Sequence, residues 1–193
     1  MRVLIVGDVF GADLCANFHM IMQKFVHGFA RAGHGVQVFN DRQAARYATP
    51  FHSRKLGTKA ANAKLLQACR NYRPDLVFLG HCEIVRNDTL DAIRDAVPGV
   101  RIAYRNVDPI YDFDHDNHRR ITSRVDTVDT IFVTTAGRHL ERFTGGRARV
   151  HFMPNPVDPC VETLRQFEQP ASALPIDVFF SFMGRQQAND SDK

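Results

Sequence analysis

The stretch Arg149-Val150-His151-Phe152-Met153-Pro154-Asn155-Pro156-Val157-Asp158-Pro159 decides how this chain is read. It starts as a short apolar strand and stops at two prolines that flank an asparagine. Proline has no N–H to give to a sheet ladder and holds the residue before it extended, so pairing ends at Met153. Working back through the chain, residues 3–6, 36–39, 76–79, 100–104 and 130–133 share the character of 150–153: short, apolar, and rich in β-branched or aromatic side chains. Apolar runs without alternation predict strands of a parallel sheet that is covered on both faces.

Helical spacing fills the gaps between these runs. Leu14, Phe18, Ile21, Met22, Phe25 and Phe29 fall on one face, and Gly33 and Gly35 end that helix. A second helix is predicted over 58–72, with Leu65, Leu66 and Cys69 inward and Pro74 beyond its end. A third carries Leu90, Ile93 and Val97 and stops at Pro98-Gly99. A fourth uses His118, Ile121 and Val125, and a short fifth holds Leu140 and Phe143 before Gly145-Gly146. Alternating strands and helices imply right-handed crossovers, an α/β class and a doubly wound, mostly parallel sheet. Residues 40–57 break the rhythm and are read as a long, basic, irregular connection. Residues 161–167 are read as a short helix, 169–175 as a linker, 176–184 as a strand opening another unit, and the rest as a polar tail.

The bulk properties bound the class. The chain has 193 residues, 44% of them hydrophobic, and a net charge of +4. That length suits one full domain with an appendage. No apolar run approaches the ~20 residues that span a bilayer. The first residues, Met1 to Asp8, turn polar too soon for a signal peptide and read as a strand. Cys15, Cys69, Cys82 and Cys160 are far apart, which predicts free thiols in a reducing cytoplasm rather than disulfides or a zinc site. The positive charge comes without a nucleic-acid motif or interleaved aromatics, so no nucleic-acid partner is expected. The basic segment 42–59, with Tyr47 and Phe51 among its cations, is either a solvated loop or a peripheral contact with a membrane surface or an anionic acceptor.

Ligands of doubly wound sheets bind beyond the carboxyl ends of the strands. That rule selects Gly7, Asp8 and Gly11 after the first strand and His81 and Glu83 after the third. It also selects Arg105, Asn106 and Asp108 after the fourth, and Thr134 and Thr135 after the fifth. The loop Gly7-Asp8-Val9-Phe10-Gly11-Ala12 is neither Gly-x-Gly-x-x-Gly nor a Walker loop, which disfavours a dinucleotide cofactor. Glycines there either admit a ligand to the backbone or serve only the tight turn. His81 suits a general base near neutral pH or a structural histidine. Glu83 would orient it or bind hydroxyls, or is simply a solvated carboxylate, and Asp108 is either a second proton acceptor or a turn residue or helix cap. Asp112, Asp114, Asp116, His115 and His118 crowd one segment, but helix capping explains them better than a metal, so no metal is expected. No serine carries a Gly-x-Ser-x-Gly elbow.

Met1 to Val6 with Gly7 and Gly11, the step Ala32-Gly33-His34-Gly35-Val36, Pro74-Asp75-Leu76-Val77-Phe78 and Met153-Pro154-Asn155-Pro156-Val157-Asp158 follow one another in order. Together they resemble the N-terminal, acceptor-side half of GT-B glycosyltransferases of the family-4-like group. Pro156 stands where that group usually has glycine. The resemblance covers about residues 1–184 and implies a Rossmann-like domain over 1–158. Residues 159–193 would then be a linker, the first strand of a truncated second domain and a tail. It further implies a sugar acceptor as partner, and a nucleotide-sugar donor held by the missing domain, with no other cofactor. His81 or Asp108 would be the catalytic group, and Asp8, Gly11, Glu83, Asn106 and Asn155 the substrate-binding set. A histidine that many relatives place after the fourth strand is absent, with Asn106 and Asp108 in its neighbourhood. The expected function is glycosyl transfer to a glycan, lipid-linked or cell-surface acceptor, inactive without the second domain. Two alternatives stay open: another GT-B enzyme such as a nucleotide-sugar 2-epimerase, or a non-enzymatic α/β binding module.

Overall fold

A computed structural model describes residues 1–9, 20–108, 110, 116–143, 145–174 and 176. Met1–Val161 form one compact unit, and the chain from Glu162 onward belongs to another. The first unit carries a six-stranded, all-parallel sheet in the order β2-β1-β3-β4-β5-β6. The strands are β1 (Arg2–Val6), β2 (Gly35–Phe39), β3 (Leu76–Leu79), β4 (Arg101–Asn106), β5 (Thr130–Val133) and β6 (Arg149–Phe152). The helices are α1 (Ile21–Arg31), α2 (Asp41–Arg46), α3 (Arg54–Tyr72), α4 (Asn87–Ala96) and α5 (Asp116–Thr122). This is a Rossmann-like α/β fold, as the alternation predicts, and its strands lie within two residues of the expected bounds.

The alternating faces of β1, β3 and β4 build two cores. Leu4, Val6, Val77, Leu79, Ile102 and Tyr104 pack under Leu65 and Cys69 of α3, Leu90 and Ile93 of α4 and Ile121 of α5. Val3, Ile5, Phe78 and Ala103 face Met22, Phe25, Val26 and Phe29 of α1. Phe25 and Phe29 stack on Phe78, with ring centroids 4.8 and 5.9 Å away. Each fully buried side chain of this size contributes about 1.5–3 kcal/mol. Burial on both faces fades toward the edge: β5 alternates, and in β6 Val150 is half-buried between exposed neighbours. The expectation of full cover therefore holds for the central strands only.

Three corrections concern connections. The segment 40–57 is not irregular. It holds α2 and the first turn of α3, whose start at Arg54 precedes the expected residue 58. Asn40 caps α2 by accepting the Gln43 N–H at 3.0 Å, and Ser53 caps α3 by accepting that of Leu56. Residues 161–165 are not helical; two short 3₁₀ turns, Gln166–Glu168 and Ala171–Ala173, follow them. The expected fifth helix is a 3₁₀ segment, Gly137–Phe143. Of the strand expected over 176–184 only Ile176 is described, and it is not in a strand; residues 177–184, Gly11, Leu14, Cys15, Phe18 and Asp112 to His115 lie outside the described residues.

The closing segment behaves as its prolines demand. β6 ends at Phe152, and Met153 N–H still donates to Val133 O at 2.8 Å. Asp158 then turns back to α1: its carboxylate takes His27 Nδ1 at 2.6 Å, Arg31 Nη1 at 3.0 Å and the Cys160 N–H at 2.9 Å. The side chain is fully buried. The Cys160 N–H first, then His27 and Arg31, hold its pKa down at about 2.

Candidate functional site

Strand order reverses between β1 and β3, because the chain leaves β1 toward β2 and returns to β1's other side for β3. In sheets of this kind such a switch point is where a ligand crevice forms beyond the carboxyl ends of the strands. Gly7 makes the turn out of β1 at a φ of +147°, a conformation few residues other than glycine adopt. Gly80 ends β3 against α1; a Cβ there would meet Met22 Sδ at 2.5 Å. Both glycines thus serve the turn and the close approach of α1.

Two adjoining cavities open at this edge, and His81 lines both. One, of about 360 Å³, has Asp8, Arg42, His81 and Arg105 on its wall together with Met22 and Val107. The other, of about 320 Å³, has His81, Glu83, Tyr104, Arg120 and Arg124. Of the residues expected from sequence, the structure brings His81, Glu83 and Asp108 together. His81 Nε2 lies 3.1 Å from Glu83 Oε1, and its Nδ1 lies 3.7 Å from Asp108 Oδ2. Arg120 completes the group, with Nη1 2.7 Å from His81 Nε2 and Nη2 3.3 Å from Glu83. Partial burial alone would raise the Glu83 carboxyl, but the His81 hydrogen bond and the Arg120 charge hold it below its ordinary range.

The two ring tautomers of His81 have opposite uses. With Arg120 donating to Nε2, the proton sits on Nδ1 and faces Asp108. With Nε2–H donating to Glu83, Nδ1 has a bare lone pair beside Asp108 and can accept a proton. A base flanked by carboxylates is the arrangement that stabilises the imidazolium once that proton arrives.

The other expected residues are spent on support. Asp8 is held by Asn40 Nδ2 at 3.0 Å, so the residue that caps α2 also fixes a carboxylate on the cavity wall. Asn106 is buried; its Oδ1 accepts the Asp108 N–H at 2.9 Å and so shapes the turn that presents Asp108. Asn155 Oδ1 accepts from Arg105 Nη2 at 2.7 Å. Thr134 closes the next loop by donating to Val107 O at 2.8 Å.

The sequence puts Arg105 at this edge without a role, and its strand-end rule does not reach Arg120 or Arg124. Arg105 shares the α1 face of β4 with Ala103, two residues earlier, and that period-two placement is the available signal. Arg124 is buried and donates to Val85 O, to Cys82 O at 3.3 Å and to Asn87 Oδ1. The thiols of Cys69 and Cys82 are buried and inert: burial pushes Cys69 up to about 12 and Cys82 well above its ordinary value, and Cys82 Sγ donates to Val6 O at 3.0 Å. Cys69, Cys82 and Cys160 are free. Among the described residues no cluster of His, Cys, Asp and Glu could hold a metal ion, and no helix is long and apolar enough to cross a membrane.

No protein-family model matches this chain, and no curated protein matches it.

Proposed function

We propose that this domain is the acceptor side of a glycosyl-transferring enzyme of GT-B architecture. The observation that carries the reading is His81, set at the crevice with Glu83 on one ring nitrogen and Asp108 near the other. An acceptor hydroxyl seated against Nδ1 gives its proton to His81 as its oxygen attacks the anomeric carbon of a nucleotide-sugar. The bond to the nucleoside diphosphate breaks, and that group leaves with the electron pair. Asp108 stabilises the imidazolium, and Glu83, accepting from Nε2–H and itself held by Arg120, fixes the ring. The sequence resemblance supplies the substrate class, and the donor belongs to a domain facing this edge. Tyr47, Phe51 and Leu56 are exposed beside Arg54 and Lys55 on the α2–α3 connection, which suits an acceptor presented at a membrane surface.

Saturation-transfer NMR of the chain with a panel of saccharides and nucleotide-sugars tests the assignment. Saccharide binding that weakens by roughly tenfold in Asp108→Asn, a loss the size of one charge-assisted hydrogen bond, supports it. Nucleotide-sugar binding without saccharide binding would make this the donor side, and binding of neither ends the transferase reading.

A further inference from the structure

Arg105 heads the fully buried side chains by size and is 1% exposed. A guanidinium removed from water without a counter-charge is costly. Among the described residues none of its contacts is with a carboxylate. Nη2 donates to the neutral Asn155 Oδ1 at 2.7 Å, and Nε is buried with no hydrogen-bond partner. The Phe25 ring lies 5.2 Å below the guanidinium carbon and recovers part of the cost through its π-face. Arg124 shows what a structural buried arginine looks like in the same fold: its guanidinium is taken up by two backbone carbonyls and the Asn87 side chain.

Arg105 lines the 360 Å³ cavity, whose wall also carries Arg42 and His81. Among the described residues Arg42 forms no ion pair either, and the carboxylate on that wall, Asp8, is engaged by Asn40. A planar fork of N–H groups matches a carboxylate or phosphate edge, not a spherical ion. We propose that this cavity binds an oxyanion, a phosphate or carboxylate group carried by the acceptor, with Arg105 as its buried anchor and Arg42 as the second cation. Burial draws the Arg105 pKa down to about 10, which leaves it charged at neutral pH. Only the identity of the carrier molecule depends on the acceptor reading above; the oxyanion chemistry stands on Arg105.

Calorimetric titrations at fixed ionic strength, with inorganic phosphate, acetate, a hexose 1-phosphate and the uncharged hexose, test this on wild type, Arg105→Gln and Arg42→Gln. The expected result is anion binding that falls roughly 10- to 100-fold in Arg105→Gln and about fivefold in Arg42→Gln, the range of charge-assisted hydrogen bonds. Preference for phosphate or for acetate supports the site in either case and names the anion. Binding of neither anion overturns it, as does wild-type anion affinity in a folded Arg105→Gln. If Arg105→Gln does not fold, unchanged affinity in Arg42→Gln, whose side chain is only half-buried, overturns the site just as surely. Anion binding with no saccharide binding leaves the oxyanion site and ends the acceptor reading. Hexose binding with no anion binding does the reverse.

Discussion

Strand β4 carries an arginine at its first residue and another near its last, and the two ends of the sheet treat positive charge in opposite ways. At the amino end, Asp129 gathers Arg94 at 2.9 Å, Arg147 at 3.1 Å and Arg101 at 3.9 Å, and also accepts the Ile102 N–H at 2.8 Å. Burial alone would raise this carboxyl, yet the Ile102 N–H and Arg94 hold it below the ordinary aspartate range. At the carboxyl end, Arg105 is more deeply buried than any of these arginines and faces no carboxylate among the described residues. A cation that ties β4 to α4 and β5 is matched inside the fold. A cation left unmatched at the crevice is matched from outside, and the chain is less stable for keeping it.

The largest effect expected from this contrast is the loss of Asp129. Asp129→Ala strands the Ile102 N–H and takes the counter-charge from the half-buried Arg94, which keeps only its bonds to the Val100 and Thr127 carbonyls, and should destabilise the domain by about 2–4 kcal/mol. Urea unfolding measures it. A change below about 0.5 kcal/mol, the level of an exposed ion pair, would mean the amino-end cluster is ornamental and the contrast false. Arg105→Met has the smaller effect and the opposite sign. It removes a poorly compensated charge and keeps the apolar stem over Phe25, so the ligand-free domain should be equally stable or gain up to about 2 kcal/mol. A loss of more than about 2 kcal/mol would make Arg105 a structural cation like Arg124.

This contrast is where the sequence stops being legible. The sheet is readable because apolar runs ending in Gly or Pro need no partner to be recognised. The closing strand and the Gly33 stop are the clearest cases. Helix α2 is not readable, since Asp41-Arg42-Gln43-Ala44-Ala45-Arg46 has no apolar period. Its signals are the Asn40 cap and the contact of Ala45 with Gly57, where a Cβ would come within 1.8 Å of the Ala45 carbonyl oxygen. His81, Glu83 and Asp108 can be found because loops at strand ends form a short list. Arg105 and Arg120 do not stand out, since the worth of a cation depends on which carboxylates the fold brings near it, and that is tertiary information.

Asp158 supplies an intermediate case and the smallest predicted effect. Its carboxylate is buried like Arg105, yet like Asp129 it gathers basic side chains, and the two it holds, His27 and Arg31, are 38% and 44% exposed. Solvent and salt screen such partners, so the pair contributes less than its short distances suggest. The sign of its pH dependence follows from the direction of the shift. The carboxyl is held at about 2 in the folded chain and returns to ~3.9 when unfolded. Its stabilisation is therefore complete above ~4, where both states are ionised, and disappears as pH falls through about 2. Asp158→Asn removes this component in advance, so its stability should fall less steeply than that of wild type between about pH 4 and pH 2, and the two proteins should differ less at high salt. Parallel acid profiles for the two proteins would show that the link from the closing segment to α1 owes nothing to the ionised carboxylate and rests on packing. Charge matching would then matter only at the amino end of the sheet.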